Sequence, residues 1–192
     1  FARAMQEERR LFDEAVASPR SEALRHLFFA ERAAAKLPED VAEAGTRSVQ
    51  AVGVIGAGTM GSGIAMAFAN SGYDVIIREM NAEALQRGLE RVATTYARSV
   101  SRGSLTRNEA DRRIARIEGT DEAADLAKCD LIIEAAFEDM EVKKSIFAEL
   151  DRIARPGAIL ATNTSYLNVD AIAAATSRPG DVLGLHFFSP AN

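Results

Sequence analysis

The sequence contains one cysteine, Cys129, among its 192 residues. An internal disulfide and a cysteine-based metal cluster are therefore excluded, and we predict no metal site. Cys129 opens an apolar run, so we expect it to pack in the core rather than to react. No apolar run approaches the roughly 18 residues that a membrane-spanning helix needs, so we expect no membrane span.

Methionine is absent from the first position, because the chain begins at Phe1. A leader in which a charged segment precedes an apolar segment is absent as well, so the sequence shows no secretory signal pattern. We therefore expect the chain to be an excerpt from a longer polypeptide.

Positive charge is in deficit, since the formal net charge is −5 and the isoelectric point is near 5.2. This acidic balance argues against a surface for nucleic acid or for an anionic membrane. Hydrophobic residues at 47% and charged residues at 27% indicate an ordinary globular protein. The length allows one compact domain with an appendage, and the sequence shows no internal repeat or low-complexity tract.

A glycine-rich turn lies between a strand pattern and a helix pattern. An apolar run over residues 49–55 leads into Gly56, Gly58 and Gly61, and a helical run over residues 64–69 follows. In this spacing the first glycine makes a tight turn, and the second lets the backbone approach a pyrophosphate. The third lets the helix pack close to its strand, so that the free N–H groups at the helix start face the phosphates. This context indicates a dinucleotide site.

Glu79 adds a second part to this site. It ends the apolar run over residues 74–79 and lies 18 residues after Gly61, near the ~20 expected for an acid that binds the adenosine ribose. Its carboxylate repels a 2′-phosphate, so we predict NAD(H) rather than NADP(H). Arg78 is a counter-signal, because an arginine there can accommodate that phosphate. Strand alternation, however, points it to the opposite face from Glu79.

Strand and helix patterns alternate to the end of the chain. Predicted strands cover residues 49–55, 74–79, 116–119, 130–135, 158–162 and 181–185, and predicted helices cover 82–102, 106–116, 121–127, 139–154 and 169–175. Six successive strand–helix units predict an α/β fold with a doubly wound, mainly parallel sheet of the Rossmann type. The helices over 82–102 and 106–116, the second opened by a capping box, form a helical-hairpin insertion after the second strand.

Residues 1–47 are predicted to form a separate helical linker hairpin, and residues 48–192 form the Rossmann-type domain. One helix covers residues 2–17, and a second begins at Ser21 as its N-cap and ends before Pro38. The hairpin has too little mass to bury its own apolar side chains.

Polar side chains follow four of the predicted strands. Glu79 follows the second strand, Glu138 and Lys143 the fourth, Asn163 and Ser165 the fifth, and His186 the sixth. Because ligands of an open α/β sheet lie beyond the carboxyl ends of its strands, we expect these groups to converge. Histidine can take an alcohol proton near neutral pH, which is the task of a base in a dehydrogenase.

Each of these side chains also fits a structural role when it is considered alone. Ser165 could cap a helix, Glu138 could be a solvated acid in a first helical turn, and His186 could be a hydrogen-bonded core residue. Their convergence at one edge of a nucleotide-binding sheet favours the functional interpretation.

Four blocks of sequence closely resemble the L-3-hydroxyacyl-CoA dehydrogenase family. They are Gly56-Ala-Gly-Thr-Met-Gly61, Glu134-Ala-Ala-Phe-Glu138, Thr162-Asn-Thr-Ser165 and Gly184-Leu-His-Phe-Phe-Ser-Pro190. The resemblance covers residues 48–192 and implies the NAD-binding portion of an oxidoreductase. Members oxidise (3S)-3-hydroxyacyl-CoA to 3-ketoacyl-CoA by hydride transfer to NAD in fatty-acid β-oxidation.

The resemblance also implies roles for individual residues. His186 is the catalytic base, and Ser165 contacts both the substrate oxygen and the cofactor. Glu79 holds the adenosine ribose, and the helical insertion helps to bind CoA. The implied cofactor-binding residues are Gly56, Gly58, Thr59, Met60, Gly61, Glu79, Glu138, Lys143 and Asn163.

The segment over residues 24–32 looks like the linker of multifunctional β-oxidation enzymes, which carry an enoyl-CoA hydratase domain upstream. The family pairs its histidine with a glutamate further downstream than Asn192, and its helical C-terminal domain closes the cleft and supplies dimer contacts.

We expect this chain alone to be inactive. We expect the parent protein to contain the hydratase domain and the helical C-terminal domain, and to assemble as a homodimer. The expected location is a bacterial cytoplasm, or a peroxisome if the source is eukaryotic.

Two other functional classes remain open from the residues themselves. A flavin-binding (FAD) module also places a glutamate after its second strand, although the six uninterrupted strand–helix units argue against it. A non-catalytic NAD(H)-binding or interaction domain is the other class, and the presence of His186 with Ser165 argues against that.

Overall fold

The N-terminal residues form two helices in the computed structural model, which describes residues 1–37, 41 and 45–191. They are α1 (Ala2–Ala17) and α2 (Pro19–Ala34), and no residue of either helix is buried. The prediction that α2 begins at Ser21 is wrong. Ser18 is the N-cap, because its hydroxyl accepts the Ser21 N–H at 3.2 Å. Pro19 then fills the first helical position, where an N–H is not needed.

The chain divides into two units, Phe1–Arg47 and Ser48–Asn192. In the first unit the large apolar side chains remain exposed, with Phe12 at 59% and Phe29 at 63% of full exposure. Pro38, where α2 was expected to stop, lies outside the described residues.

The second unit is built on a six-stranded sheet in the order β3-β2-β1-β4-β5-β6, with every neighbouring pair parallel. The strands are β1 (Ala51–Ile55), β2 (Asp74–Arg78), β3 (Ile117–Thr120), β4 (Leu131–Glu134), β5 (Ile159–Thr162) and β6 (Val182–Gly184). The order reverses between β1 and β4, as in a dinucleotide-binding Rossmann fold. The predicted doubly wound sheet is confirmed.

The first strand begins two residues later than predicted, and Asp130 explains the difference. Its Oδ2 accepts the N–H groups of Gln50 and Ala51 at 2.7 and 2.9 Å, and Arg155 forms an ion pair with the same carboxylate. The Gln50 N–H is thereby satisfied by a side chain rather than by a neighbouring strand. The strand ladder therefore begins at Ala51.

Helices cover both faces of the sheet. In the second unit they are α3 (Thr59–Asn70), α4 (Ala82–Ser101), α5 (Arg107–Ile114), α6 (Met140–Ile153) and α7 (Val169–Ala173), with 3₁₀ helices at Ala123–Lys128 and Pro179–Asp181. Residues of β2 alternate between the two faces, because Val75 and Ile77 join the buried cluster that contains Ile64 of α3. Ile76 joins the cluster that contains Phe147 of α6.

The predicted insertion after β2 is formed by α4 and α5. Thr106 and Glu109 make the expected capping box at the start of α5. Buried Tyr96 donates its hydroxyl to Asn70 Oδ1 at 2.9 Å, and Arg113 donates to the same oxygen at 2.9 Å. These bonds fasten both helices of the insertion to the end of α3.

Cys129 is free and fully buried, as expected for a packing residue. Burial raises the pKa of its thiol to about 11, so the thiol remains protonated near neutral pH and is a poor nucleophile. Among the described residues, no helix is long and apolar enough to cross a membrane. The same part of the chain contains no cluster of three or more His, Cys, Asp or Glu side chains that could hold a metal ion.

Candidate functional site

The glycine-rich turn joins β1 to α3, and its three glycines differ in what a side chain would meet. Gly56 has a φ of +99°, and a Cβ there would lie 2.8 Å from the carbonyl oxygen of Ala135. A Cβ on Gly61 would overlap the carbonyl oxygen of Gly56. A Cβ on Gly58 would meet nothing within 4 Å. The fold itself requires glycine at positions 56 and 61, whereas Gly58 faces open space where the backbone is free to approach a pyrophosphate.

A cavity of about 840 Å³ opens beside this turn. We call it the glycine-turn cavity, and its wall includes Gly56, Gly58, Arg78, Glu79, Phe137 and Glu149. Glu79 is held against the turn, because its Oε2 accepts the N–H of Ala57 at 3.2 Å. The volume is in the range typical of small-molecule sites, and the position beyond the strand ends is where a Rossmann sheet binds its ligand.

Arg78 contributes to the same cavity, although strand alternation predicts that it points to the opposite face from Glu79. Alternation does turn its side chain toward α6, where Nη1 donates to Glu149 Oε2 at 3.4 Å. It does not remove Arg78 from the site, however, since Arg78 and Glu79 both border the glycine-turn cavity. The cavity lies beyond the end of β2, so strand alternation cannot separate the two residues there.

A buried ion pair joins the end of β4 to α6. The side chains of Lys143 and Glu134 are 1% and 0% exposed, and Lys143 Nζ donates to both oxygens of Glu134 at 2.8 Å. The same carboxylate accepts the Ala136 N–H and the Thr162 hydroxyl, each at 2.7 Å. Both oxygens of Glu134 are therefore hydrogen-bonded, which a buried charge requires.

Glu138 connects this buried pair to the surface. Its Oε2 lies 3.3 Å from Lys143 Nζ, and its Oε1 accepts the Thr164 hydroxyl at 2.6 Å and the Ser165 N–H at 2.7 Å. Partial burial acts to raise the pKa of Glu138, but these hydrogen bonds and the charge of Lys143 outweigh it and lower the pKa. The ionised carboxylate fixes the backbone of Ser165.

Ser165 and His186 meet at the carboxyl ends of β5 and β6. Ser165 Oγ lies 3.3 Å from His186 Nε2, and both residues are exposed. Asn163 ties the two strand ends together, because its Oδ1 accepts the N–H of Phe187 at 2.7 Å. An exposed hydroxyl can hydrogen-bond to the oxygen of an alcohol, and an imidazole beside it can accept the proton of that alcohol.

The structure sorts the predicted site residues into two groups. Gly56, Gly58 and Glu79 border the glycine-turn cavity, with Gly61, Thr59 and Met60 in the first turn of α3. The second group is the connected set of Lys143, Glu138, Ser165 and His186. Asn163 lies next to it, because its side chain accepts the N–H of Phe187, the neighbour of His186. Lys143 belongs to it as a buried support rather than as a residue on the site surface.

Ser165, Glu138 and His186 do not have the purely structural roles that each could have had when considered alone. Ser165 does not cap α7, whose N-cap is Asn168. Glu138 precedes α6, whose N-cap is Asp139. His186 is exposed and is therefore not a core histidine.

The structural role of Glu134 was not predicted, although this residue opens one of the four blocks that resemble the family. The available signal is a single acid in the otherwise apolar strand β4, every residue of which is buried. Such an acid needs a buried partner, and Lys143 lies nine positions later. Thr162, which donates to the same carboxylate, follows from neither charge nor periodicity.

A Rossmann sheet with an acid after β2 and a serine–histidine pair after β5 and β6 is typical of a nicotinamide-dependent dehydrogenase domain. Comparison with known families identifies which one. The model of the 3-hydroxyacyl-CoA dehydrogenase, NAD binding domain matches residues 51–192, and the chain belongs to this family. Its cofactor is accordingly NAD, and the alternative of a flavin module is set aside.

Individual relatives agree with the family match. The chain is 40% identical over 187 residues to a peroxisomal fatty acid beta-oxidation multifunctional protein of Oryza sativa, covering 96% of this chain and 26% of that protein. It is 42% identical over 189 residues to a peroxisomal bifunctional enzyme of Cavia porcellus, with the same two coverages of 96% and 26%. The chain thus spans about a quarter of the length of these relatives.

A comparison with solved structures agrees with the family match. The crystal structure of 3-hydroxybutyryl-CoA dehydrogenase from Escherichia coli K12 superposes with a TM-score of 0.74 at 43% identity, covering 76% of this chain and 31% of that one. The expected membership in the hydroxyacyl-CoA dehydrogenase family is confirmed.

Proposed function

We propose that the parent protein oxidises (3S)-3-hydroxyacyl-CoA to 3-ketoacyl-CoA in fatty-acid β-oxidation. The observation that carries the proposal is the 3.3 Å contact between Ser165 Oγ and His186 Nε2 at the carboxyl edge of the sheet. Relatives named as fatty acid beta-oxidation multifunctional protein and 3-hydroxybutyryl-CoA dehydrogenase support the substrate class.

His186 is the proposed general base and Ser165 the residue that binds the reacting oxygen. Glu138 supports Ser165, because its hydrogen bond from the Ser165 N–H fixes the loop that carries the hydroxyl. In the described part of the chain, His186 makes its polar contact with Ser165. We propose that the acid that orients the imidazole comes from a downstream part of the parent.

The chain's own residues fit the cofactor. NAD, when bound, supplies the acceptor for the two electrons of the oxidation. Gly58 leaves space for the phosphates, the N–H groups at the start of α3 would bind them, and Glu79 would accept the ribose hydroxyls. Glu138, Lys143 and Asn163 would support the nicotinamide end through the network around Ser165.

The remaining parts of the parent are proposed from its relatives. An upstream enoyl-CoA hydratase domain and a downstream helical domain would fit the length of the multifunctional relatives, of which this chain covers 26%. A homodimer and a contact between the helical insertion and CoA belong to the same proposal. For location we propose a bacterial cytoplasm, or a peroxisome in a eukaryotic source, as the names of the plant and animal relatives indicate.

The test is reduction of NAD by the full-length parent in the presence of a short 3-hydroxyacyl-CoA. We expect turnover by the parent and a loss of about 10²–10⁴-fold in His186→Gln, because a general base contributes that much. The 192-residue chain alone should show no measurable turnover. A parent that binds NADH but does not oxidise 3-hydroxyacyl-CoA, or a His186→Gln variant with full activity, would overturn the proposed reaction.

A further inference from the structure

The glycine-turn cavity is lined by a cationic side chain, Arg78, which would favour NADP rather than NAD. Arg78 borders this cavity beside Glu79, and an arginine near the ribose site is the group that accepts the 2′-phosphate of NADP. A carboxylate and a guanidinium at one ribose site have opposite preferences. Something must therefore neutralise Arg78 if the site is to select NAD.

The partner of Arg78 is Glu149, one of the residues of α6 that face the cavity. Nη1 of Arg78 lies 3.4 Å from Glu149 Oε2, and the two side chains are 9% and 33% exposed. This ion pair is largely shielded from water, so each charge offsets the other more strongly than in a surface pair.

Arg78 nevertheless has hydrogen-bonding capacity in reserve. Its Nε is the one buried side-chain nitrogen or oxygen in the described part of the chain that lacks a hydrogen-bond partner. The contact of 3.4 Å to Glu149 is longer than the 2.7–2.9 Å typical of a charge-assisted hydrogen bond. The guanidinium is thus held by the charge of Glu149 rather than saturated by hydrogen bonds, so it would be available to a phosphate if Glu149 lost that charge.

We propose that Glu149 is a specificity-determining residue that selects NAD over NADP by holding Arg78. Glu79 repels a 2′-phosphate directly, whereas Glu149 withholds the buried cation that would otherwise compensate for that phosphate. This inference rests on the proposed use of the glycine-turn cavity for the adenosine end of the cofactor. It assigns NAD selection to two carboxylates on different elements, one after β2 and one on α6.

The experiment measures the affinities of NADH and NADPH for the 192-residue chain by fluorescence of the reduced nicotinamide. Glu149→Gln should bind NADPH on the order of tenfold more tightly than the unmutated chain, because a freed guanidinium makes charged hydrogen bonds to the phosphate. The change for NADH should be much smaller. Glu79→Gln with Glu149→Gln should bind NADPH more tightly than either single variant.

Three further variants separate this role from general effects of charge or folding. Arg78→Gln added to Glu149→Gln should remove the gain for NADPH, and Glu149→Asp, which keeps the charge, should keep the preference for NADH. Glu118→Gln makes the same change of net charge at an exposed position on β3 and should leave the NADPH to NADH ratio unaltered. Far-UV circular dichroism verifies that each variant is folded.

Two results would overturn the inference while leaving the proposed cofactor site intact. One is an equal change in NADH and NADPH affinity in Glu149→Gln. The other is a gain for NADPH that survives Arg78→Gln and disappears in Arg152→Gln, which would assign the phosphate to the exposed arginine of the same cavity. An unmutated, folded chain that binds no NADH would instead overturn the proposed cofactor site, and this inference with it.

Discussion

Gly58 and Gly61 are three positions apart, but glycine is needed at each for a different reason. A Cβ at Gly61 would overlap the carbonyl oxygen of Gly56, whereas a Cβ at Gly58 would meet nothing within 4 Å. The sequence motif does not distinguish the two glycines. In the structure the fold requires Gly61, whereas Gly58 is expected to be required for binding.

Gly58→Val should therefore lose NADH binding by at least about tenfold, or 1.4 kcal/mol, while the sheet remains folded. The added side chain would enter the space that the phosphates need. NADH titration and far-UV circular dichroism measure the two properties. The comparison variant Gly61→Val should lose both. Unchanged NADH affinity in a folded Gly58→Val chain would contradict the phosphate role of the turn.

Lys143→Met should destabilise the fold by about 3–5 kcal/mol, because it leaves the Glu134 carboxylate buried without its cation. Both side chains of this pair are at most 1% exposed. Urea unfolding measures the loss. The neighbouring Lys144→Met is the control, since Lys144 is 38% exposed and pairs with Glu141 on the surface, so its loss should be about 0–1 kcal/mol. Equal losses for the two variants would show that burial of the pair is unimportant.

At the scale of elements, the existence of the strands and their parallel arrangement were predictable from the sequence, while several boundaries were not. Apolar runs separated by helix patterns predict parallel strands, and the glycine turn identifies the strand that leads into the dinucleotide site. The start of β1 depends on Asp130, which lies 79 positions after Ala51 in the chain. The start of α2 depends on a choice between two serines, Ser18 and Ser21, that local propensity does not distinguish.

Asp151 links α6 to the segment before β6 and should make stability depend on pH. Its carboxylate accepts the Ser177 N–H at 2.8 Å and the Arg178 Nε–H at 3.1 Å. The backbone hydrogen bond from Ser177 lowers the pKa of Asp151 despite partial burial, and the Ser177 hydroxyl and Arg178 add to that effect. A lowered folded-state pKa contributes stability above the unfolded pKa, which is lost as the pH falls through the folded value.

Asp151→Asn should therefore lower the free energy of unfolding at about pH 7, and the difference from the unmutated chain should shrink toward about pH 3. Urea unfolding across this range measures it. The exposed Asp111→Asn, in α5, is the control for a generic loss of one negative charge. A difference for Asp151→Asn that stays constant with pH would show that the ionised carboxylate is not what links these elements.

At the scale of the whole molecule, the convergence of Glu138, Ser165 and His186 was predictable because strand ends meet at one edge of a parallel sheet. The network behind them was not. Glu134 and Thr162 meet across 28 positions, and Arg78 meets Glu149 across 71. Such pairs depend on the register of the strands β2, β4 and β5 and on how α6 packs against them. Hydrophobic periodicity specifies neither.

The central claim is that the glycine turn and Glu79 form a preformed NAD site. Calorimetric titration of the 192-residue chain with NADH tests this claim most directly. The account predicts saturable binding of one NADH per chain, with weaker binding of NADPH and none of FAD. A chain that is folded by circular dichroism and yet releases no binding heat with NADH, or that binds FAD in its place, would contradict it.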